Sequence, residues 1–479
     1  MQVQNNEAGN AYWSSRLAFI LAATGSAVGL GNIWKFPYVA GENGGGAFVA
    51  VYLLCILMIG LPIMMAEIML GRRSRKNPIA AMAVLAEESE RSDRWVGIGK
   101  MGVIAGFLIL SFYSVIAGWS LAYVFRAIGG MFSNIDVVAA NQMWTDLSTD
   151  AERTLAWHTV FMTTVVVIVS KGVTGGLEKM IKLLMPMLFL LLLVLVGISF
   201  SLGDADKALG YLFDVDFSKI SVGVVADAMG QAFFSLSLGM GAILMYGAYL
   251  PKDASIAKTS LAIVGADTAV ALISGLAIFP LVFAIPGLEA SSGPSLVFKA
   301  LPQVFGQIEG GTFVGTLFFV LLFVAALTSA ISLLEPVVSW LVEHRGYERT
   351  HAARLSGFMI WLLGLGTVFS FSIWSDSSLT IAPQVGDKIY MLIENQSFFS
   401  MVDFTTSNVM LPLGGALMAY FVGFMMKPEM VEEEMSDLPK AVFKTWYFLI
   451  RNVAPVAALV IFVHVTGLGK ALSVWFGWS

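Results

Sequence analysis

Charge is what this sequence lacks most. Asp, Glu, Lys and Arg make up 13% of its 479 residues, about half the share usual in soluble domains. A soluble chain of this length can bury a large core, but it also needs a charged surface free of apolar patches, which so few charges cannot build. Cysteine is nearly missing as well. Cys55 stands alone, so no disulfide closes within the chain, and a disulfide-stapled secreted scaffold is excluded. The four histidines, His158, His344, His351 and His464, lie far apart. No metal-ligand cluster and no nucleophile–base pair can be read from them, so an enzyme is the weakest class. A net charge of −5 with no basic stripe argues against nucleic-acid binding. What the chain has in abundance is apolar surface: 57% hydrophobic residues and a mean hydropathy of +0.79. It reads as an all-α polytopic membrane protein whose partner is the lipid bilayer.

A spanning helix takes about 20 mostly apolar residues. Eleven such stretches run near 17–39, 46–70, 101–125, 155–170, 180–201, 222–249, 259–286, 312–342, 355–373, 404–426 and 446–468. Charged connectors such as Arg72–Lys76 and Glu87–Lys100 separate them, and no long polar linker marks a soluble domain. The first stretch is apolar and small enough to pose as a signal peptide. Yet Gly31-Asn32-Ile33-Trp34-Lys35-Phe36-Pro37 continues it, and ten more spans follow, so it is read as a span. Lysine and arginine concentrate in one set of loops, including Arg72, Arg73, Arg75, Lys76, Arg91, Arg94 and Lys100. The opposite loops hold Arg153, Lys207, Lys219, Lys299 and Lys388. That asymmetry predicts a multi-pass plasma (inner) membrane protein with a cytoplasmic N-terminus and, after eleven spans, a C-terminus outside.

Polar and glycine residues interrupt two of the spans at mid-depth. The first carries Thr24 to Asn32, and the sixth carries Gln231 to Gly241. In hydrocarbon, irregular backbone is tolerated only where it is buried in protein or lines a cavity. Broken segments at corresponding places in two halves mark a transporter's midplane site. There, freed carbonyls can replace a cation's water and helix N-termini can hold a carboxylate. Helix packing is the competing reading, since Gly25-x-x-x-Gly29 fits a small-residue packing motif, but packing does not require Asn32, Gln231, Ser235 and Ser237. In the eighth span the Thr328 and Ser329 hydroxyls either bond back to the preceding turn or face a site. Asp267, in the seventh, has no Lys or Arg within a helical turn, and an acid at that depth points to an ion path or a partner.

These residues also carry a family likeness. Trp13 to Leu17, Gly25 to Pro37, Glu42 to Phe48, Tyr113 to Trp119, Gln231 to Gly241, Leu327-Thr328-Ser329 and Asp403-Phe404 strongly resemble the neurotransmitter:sodium symporter family. Within it they look most like the bacterial hydrophobic amino-acid transporter branch. The likeness implies one transmembrane transporter domain over 1–479 that takes up an L-amino acid with sodium by alternating access. It implies two inverted five-helix repeats, about 13–201 and 222–426, with an extra helix near 444–469 and broken helices 1 and 6. No organic cofactor is implied, and nothing in the chain sets an oligomeric state. A sodium-dependent amino-acid sensor or a channel-like protein on the same scaffold is the alternative.

Carried over residue by residue, the likeness puts a first sodium on Ala27, Asn32, Ser235 and Asp267, with the substrate carboxylate. It puts a second on Gly25, Val28, Ala325, Thr328 and Ser329. Hard oxygen ligands of this kind suit an alkali cation. The substrate pocket would comprise Ser26, Ala27, Gly29, Leu30, Gly31, Ile109, Tyr113, Phe234, Ser235, Ser237, Met240, Ser329 and Leu333. Monoamine members carry an aspartate where this chain has Gly29, so its substrate is expected to bring its own carboxylate. Met240 stands where the leucine-transporting relative has phenylalanine. Methionine fills irregular gaps, so larger apolar and aromatic side chains are expected. Chloride-independent members have an acid one turn beyond Asp267, where this chain has Ala271. Asp267 itself replaces the usual asparagine, so chloride independence is expected here too. Lys35 and Asp403 match the family's outer gate, and Trp13, Tyr249 and Glu343 its inner one. The N-terminal arginine of that inner cluster is missing, with Asn10 in its place. Gly176 and Pro186 resemble a glycine-x9-proline element whose helix unwinds on the inner side; a static proline kink is the alternative.

Overall fold

The computed structural model describes residues 13–284, 297–381, 384–385, 388–389 and 393–467. Asn10, the tail of the expected seventh stretch at 285–286 and the last residues of the expected extra helix at 468–469 lie outside them. Among the described residues, nine helices are long and apolar enough to cross a membrane: Gly46–Ser74, Asp93–Ile128, Ala151–Ser170, Val173–Leu202, Ile256–Phe283, Gly311–Arg345, Arg349–Phe371, Phe398–Met425 and Lys440–His464. A tenth span is the pair Arg16–Ala27 and Gly31–Glu42, bent by 48° at its break. The remaining apolar stretch is broken into Val222–Ser235 and Ala242–Ala248. In chain order these are spans 1 to 11, the broken ones being spans 1 and 6. The expected all-α architecture holds except between spans 9 and 10. There Leu379–Ile381 pairs antiparallel with Ile393–Gln396, and Gln384–Val385 with Lys388–Ile389.

Several helices begin a few residues ahead of their apolar runs, because capping rather than hydropathy sets a helix end. The side chains of Ser15, Asp150, Ser221, Ser255 and Ser397 accept from backbone N–H groups in the first turns of spans 1, 4, 6, 7 and 10. Span 3 begins at Asp93 instead of 101. At its start a Cβ on Gly99 would come within 2.3 Å of the Pro78 carbonyl oxygen, so only glycine lets it lie against the short helix Pro78–Glu88.

Burial sorts centre from edge. The apolar window of span 8 is 83% buried and that of span 3 is 78% buried, whereas spans 5 and 11 bury 33% and 28%. Spans 3 and 8 therefore form the middle of the bundle, with the two broken spans against them. The others turn apolar side chains such as Leu183, Leu190 and Leu193 outward, as a chain solvated by lipid does.

Candidate functional site

Each break has a local cause. Span 1 stops at Ala27, where Val28 is extended (φ −71°, ψ 108°), and Asn32 folds back so that its Oδ1 accepts from Gly29 N–H at 3.2 Å. Span 6 stops where Ser237, Gly239 and Gly241 take φ of +55°, +78° and +75°. A Cβ at Gly239 would also meet the Leu411 carbonyl oxygen at 2.6 Å. The freed Gly239 N–H donates to Glu67 Oε1 at 2.7 Å, so a wholly buried acid of span 2 holds the break open.

The breaks face each other across a small cavity. Twelve of the thirteen expected substrate residues line it: Ser26, Ala27, Gly29, Leu30, Gly31, Ile109, Tyr113, Phe234, Ser237, Met240, Ser329 and Leu333. The exception is Ser235, whose hydroxyl lies 3.2 Å from that of Tyr52. One end is polar: Leu30 N–H donates to the Tyr113 hydroxyl at 3.3 Å, and Ser237 Oγ donates to the Ser26 carbonyl at 2.8 Å. Phe234, Met240, Ile109 and Leu333 supply apolar wall. The volume is about 20 Å³, room for about one water.

Two groups of oxygens flank the cavity. In the first, Asn32 Nδ2 donates to Asp267 Oδ1 at 2.7 Å and to the Asp267 carbonyl at 3.1 Å. Asn32, Ser235 and Asp267 are wholly buried, and Asp267 Oδ2 has no protein partner. A buried carboxylate oxygen left over this way fits a hard cation. In the second, Ser329 Oγ stands 3.5, 3.2 and 3.3 Å from the carbonyl oxygens of Gly25, Ser26 and Val28. Thr328 Oγ1 lies 3.0 Å from the Ala325 carbonyl. Spans 1 and 8 thus bring the five expected ligand residues of the second site into one oxygen-rich patch.

The residues expected at the two gates come together only in part. Lys35 and Asp403 border one cavity of about 230 Å³ with Glu42 and Asp227, but they form no ion pair with each other. The Lys35 ammonium instead sits 4.4 Å above the Phe234 ring, and Asp403 accepts from Ser407 Oγ at 2.9 Å. At the opposite expected gate Trp13 packs edge-on against Tyr246 and Tyr249, with ring centroids 5.3 and 6.2 Å away. Tyr249 donates to Glu335 at 3.1 Å, and Arg349 binds the same carboxylate at 2.5 Å. Glu343 is drawn elsewhere, accepting from Asn77 Nδ2 at 2.8 Å. Ser14 N–H donates to Glu178 of span 5 at 3.0 Å, which ties down the segment that leads into span 1. Gly176 lies in a wide turn, Val173–Glu178, and its missing Cβ would come within 2.2 Å of the Ile168 carbonyl. Pro186 sits inside the helix that follows.

Sequence reasoning missed Glu67, Glu335, Glu178 and Tyr52. For Glu67 and Glu335 the signal was present: each is an acid within an apolar span, the same feature that singled out Asp267.

The chain can now be set beside known proteins. A profile of the Sodium:neurotransmitter symporter family matches residues 10–148 and 142–466. The Bacillus subtilis (strain 168) protein named uncharacterized sodium-dependent transporter YhdH is 37% identical over 459 residues, 95% of this chain and 98% of that one. An uncharacterized sodium-dependent transporter of Haemophilus influenzae is 32% identical, over 94% of this chain and 97% of its own. The crystal structure of MhsT in complex with L-phenylalanine superposes with a TM-score of 0.86 at 42% identity, covering 95% of this chain and all of that one. With that likeness the fold is the family's, two inverted five-helix repeats with broken helices 1 and 6. The chain belongs to the sodium:neurotransmitter symporter family and is a sodium-dependent transporter.

Proposed function

We propose that the chain imports hydrophobic L-amino acids, aromatic ones included, by sodium-coupled alternating access without chloride. The observation that carries this reading is the two-ended cavity. Its polar end, at Leu30 N–H and the Tyr113 hydroxyl, suits a carboxylate. Its apolar wall of Phe234, Met240, Ile109 and Leu333 suits a hydrocarbon or aromatic side chain. Gly29 favours a substrate that supplies its own carboxylate, because this position offers no side-chain acid, and an added Cβ there would stand only 2.3 Å from Ser329 Oγ. A bound side chain must push the wall outward from its contracted volume, and flexible Met240 makes that easier. The phenylalanine bound to MhsT agrees in chemical class.

Two sodium ions are proposed, one on Ala27, Asn32, Ser235 and Asp267 with the substrate carboxylate, the other on Gly25, Val28, Ala325, Thr328 and Ser329. Asp267 supplies fixed negative charge beside the first, which removes the need for chloride; one turn on, Ala271 supplies none. The repeats are assigned to 13–201 and 222–426, with the last helix outside both. The basic loops around Arg72–Lys76 are assigned to the cytoplasm.

A binding panel of the twenty amino acids, with sodium or with an organic cation in its place, tests the substrate class. Leucine, phenylalanine and tryptophan are expected to bind only with sodium. A preference for glycine, GABA or a monoamine would overturn the assignment.

A further inference from the structure

Away from the transport path, on the face that carries Arg72–Lys76, spans 3 and 8 and the short helix Pro78–Glu88 enclose a groove of about 730 Å³. Its wall on span 3 is one helix face: Lys100, then Ile104 and Phe107 at four- and seven-residue spacing. Ile104 is 51% exposed within an apolar span, so the groove opens sideways to hydrocarbon. Span 8 contributes Trp340, which is stacked at 5.4 Å on His344, an aromatic placed where the membrane interface meets the loops.

The mouth of the groove is cationic. Lys76 and Lys100 are both exposed, and neither has an ion-pair or hydrogen-bond partner among the described residues. Glu343, the acid among the lining residues, accepts from Asn77 Nδ2 at 2.8 Å and from its N–H at 3.3 Å, contacts that hold it in place and leave its single negative charge against two lysines. Two exposed ammonium groups against one lining carboxylate leave the groove net positive, above an apolar wall that opens into the bilayer; this matches an anionic headgroup carrying an acyl chain. A soluble anion would leave the wall uncovered, and a zwitterionic lipid would leave the lysines uncompensated.

We propose that this groove binds an anionic phospholipid of the cytoplasmic leaflet, its phosphate on Lys76 and Lys100 and an acyl chain along Ile104 and Phe107. The choice of leaflet rests on the orientation proposed above; the site itself does not depend on the substrate reading. The lipid would brace the helix Pro78–Glu88 against spans 3 and 8.

The test is native mass spectrometry of the purified full chain with phosphatidylglycerol and phosphatidylcholine of matched acyl chains. The wild type is expected to retain phosphatidylglycerol preferentially. K76Q/K100Q should lower its retention about thirtyfold, the product of about fivefold for each of two surface lysines. A83W fills the groove while leaving both lysines, and it should displace the lipid. K252Q/K258Q, a pair of exposed lysines on the same face, should change nothing. Equal retention of the two lipids by the wild type would overturn the proposal. So would an equal loss in K252Q/K258Q, which would mean diffuse surface charge, or unchanged retention in A83W.

Discussion

At the scale of single residues, the site turns on what has been left out and what has been left over. Gly29 leaves out a side chain. A Cβ there would stand 2.3 Å from Ser329 Oγ and 3.0 Å from the Tyr113 hydroxyl, on atoms of both the substrate cavity and the second oxygen patch. Gly29→Ala should therefore weaken L-phenylalanine binding at least about tenfold, or roughly 1.4 kcal/mol, measured by equilibrium binding in saturating sodium. An unchanged affinity would mean that the pocket lies elsewhere. Asp267 has an oxygen left over, since Asn32 takes Oδ1 and no protein group takes Oδ2. Wild-type uptake should persist when chloride is exchanged for gluconate. Asp267→Asn should lose uptake in gluconate and recover part of it in chloride. Equal uptake by the variant in both anions would break the link between this carboxylate and chloride independence. Asp267 was legible in the sequence because an acid deep in an apolar run is costly and needs a reason. Glu67 and Glu335 met the same criterion, but their partners Gly239 and Arg349 become neighbours only through the fold.

At the scale of elements, the breaks in spans 1 and 6 were readable from their glycine and hydroxyl content. Their exact ends were not, because those depend on Asn32 folding back on Gly29 and on Glu67 reaching Gly239 from another span. The cluster around Trp13 shows the same limit. Trp13 and Tyr249 meet as expected, while Glu343 turns to Asn77 and Glu335 takes its place beside Tyr249. Span 5 begins in the wide turn Val173–Glu178, and Glu178 holds the backbone of Ser14. A span that is only 33% buried in protein, carries Pro186 and grips the segment before span 1 is the one that the proposed alternating access would move. Pro186→Ala restores a backbone donor and removes a helix distortion otherwise costing about 3 kcal/mol. It should slow uptake severalfold and leave equilibrium binding within about twofold, since a tenfold change would need 1.4 kcal/mol at the site. Unchanged turnover would reduce the proline to a static kink.

At the scale of the molecule, scarce charge is what organises the protein. Only 13% of the residues are charged, and where spans 1, 6, 7 and 8 converge the buried polar groups Ser26, Asn32, Ser235, Asp267, Thr328 and Ser329 come together. The span count could be inferred from hydropathy and the pairing of the two broken spans from spacing, while the convergence of spans 7 and 8 on them was implied by the family likeness. The short strand pairs between spans 9 and 10 and the groove at Lys76 and Lys100 could not, because each is made by residues brought together only in the folded chain. The most direct measurement is uptake into proteoliposomes that hold the full chain and face an inward sodium gradient in chloride-free gluconate. L-phenylalanine or L-leucine should accumulate above the outside concentration, and the accumulated pool should collapse when a sodium ionophore is added. Equilibration without accumulation, or accumulation indifferent to the ionophore, would contradict sodium-coupled symport.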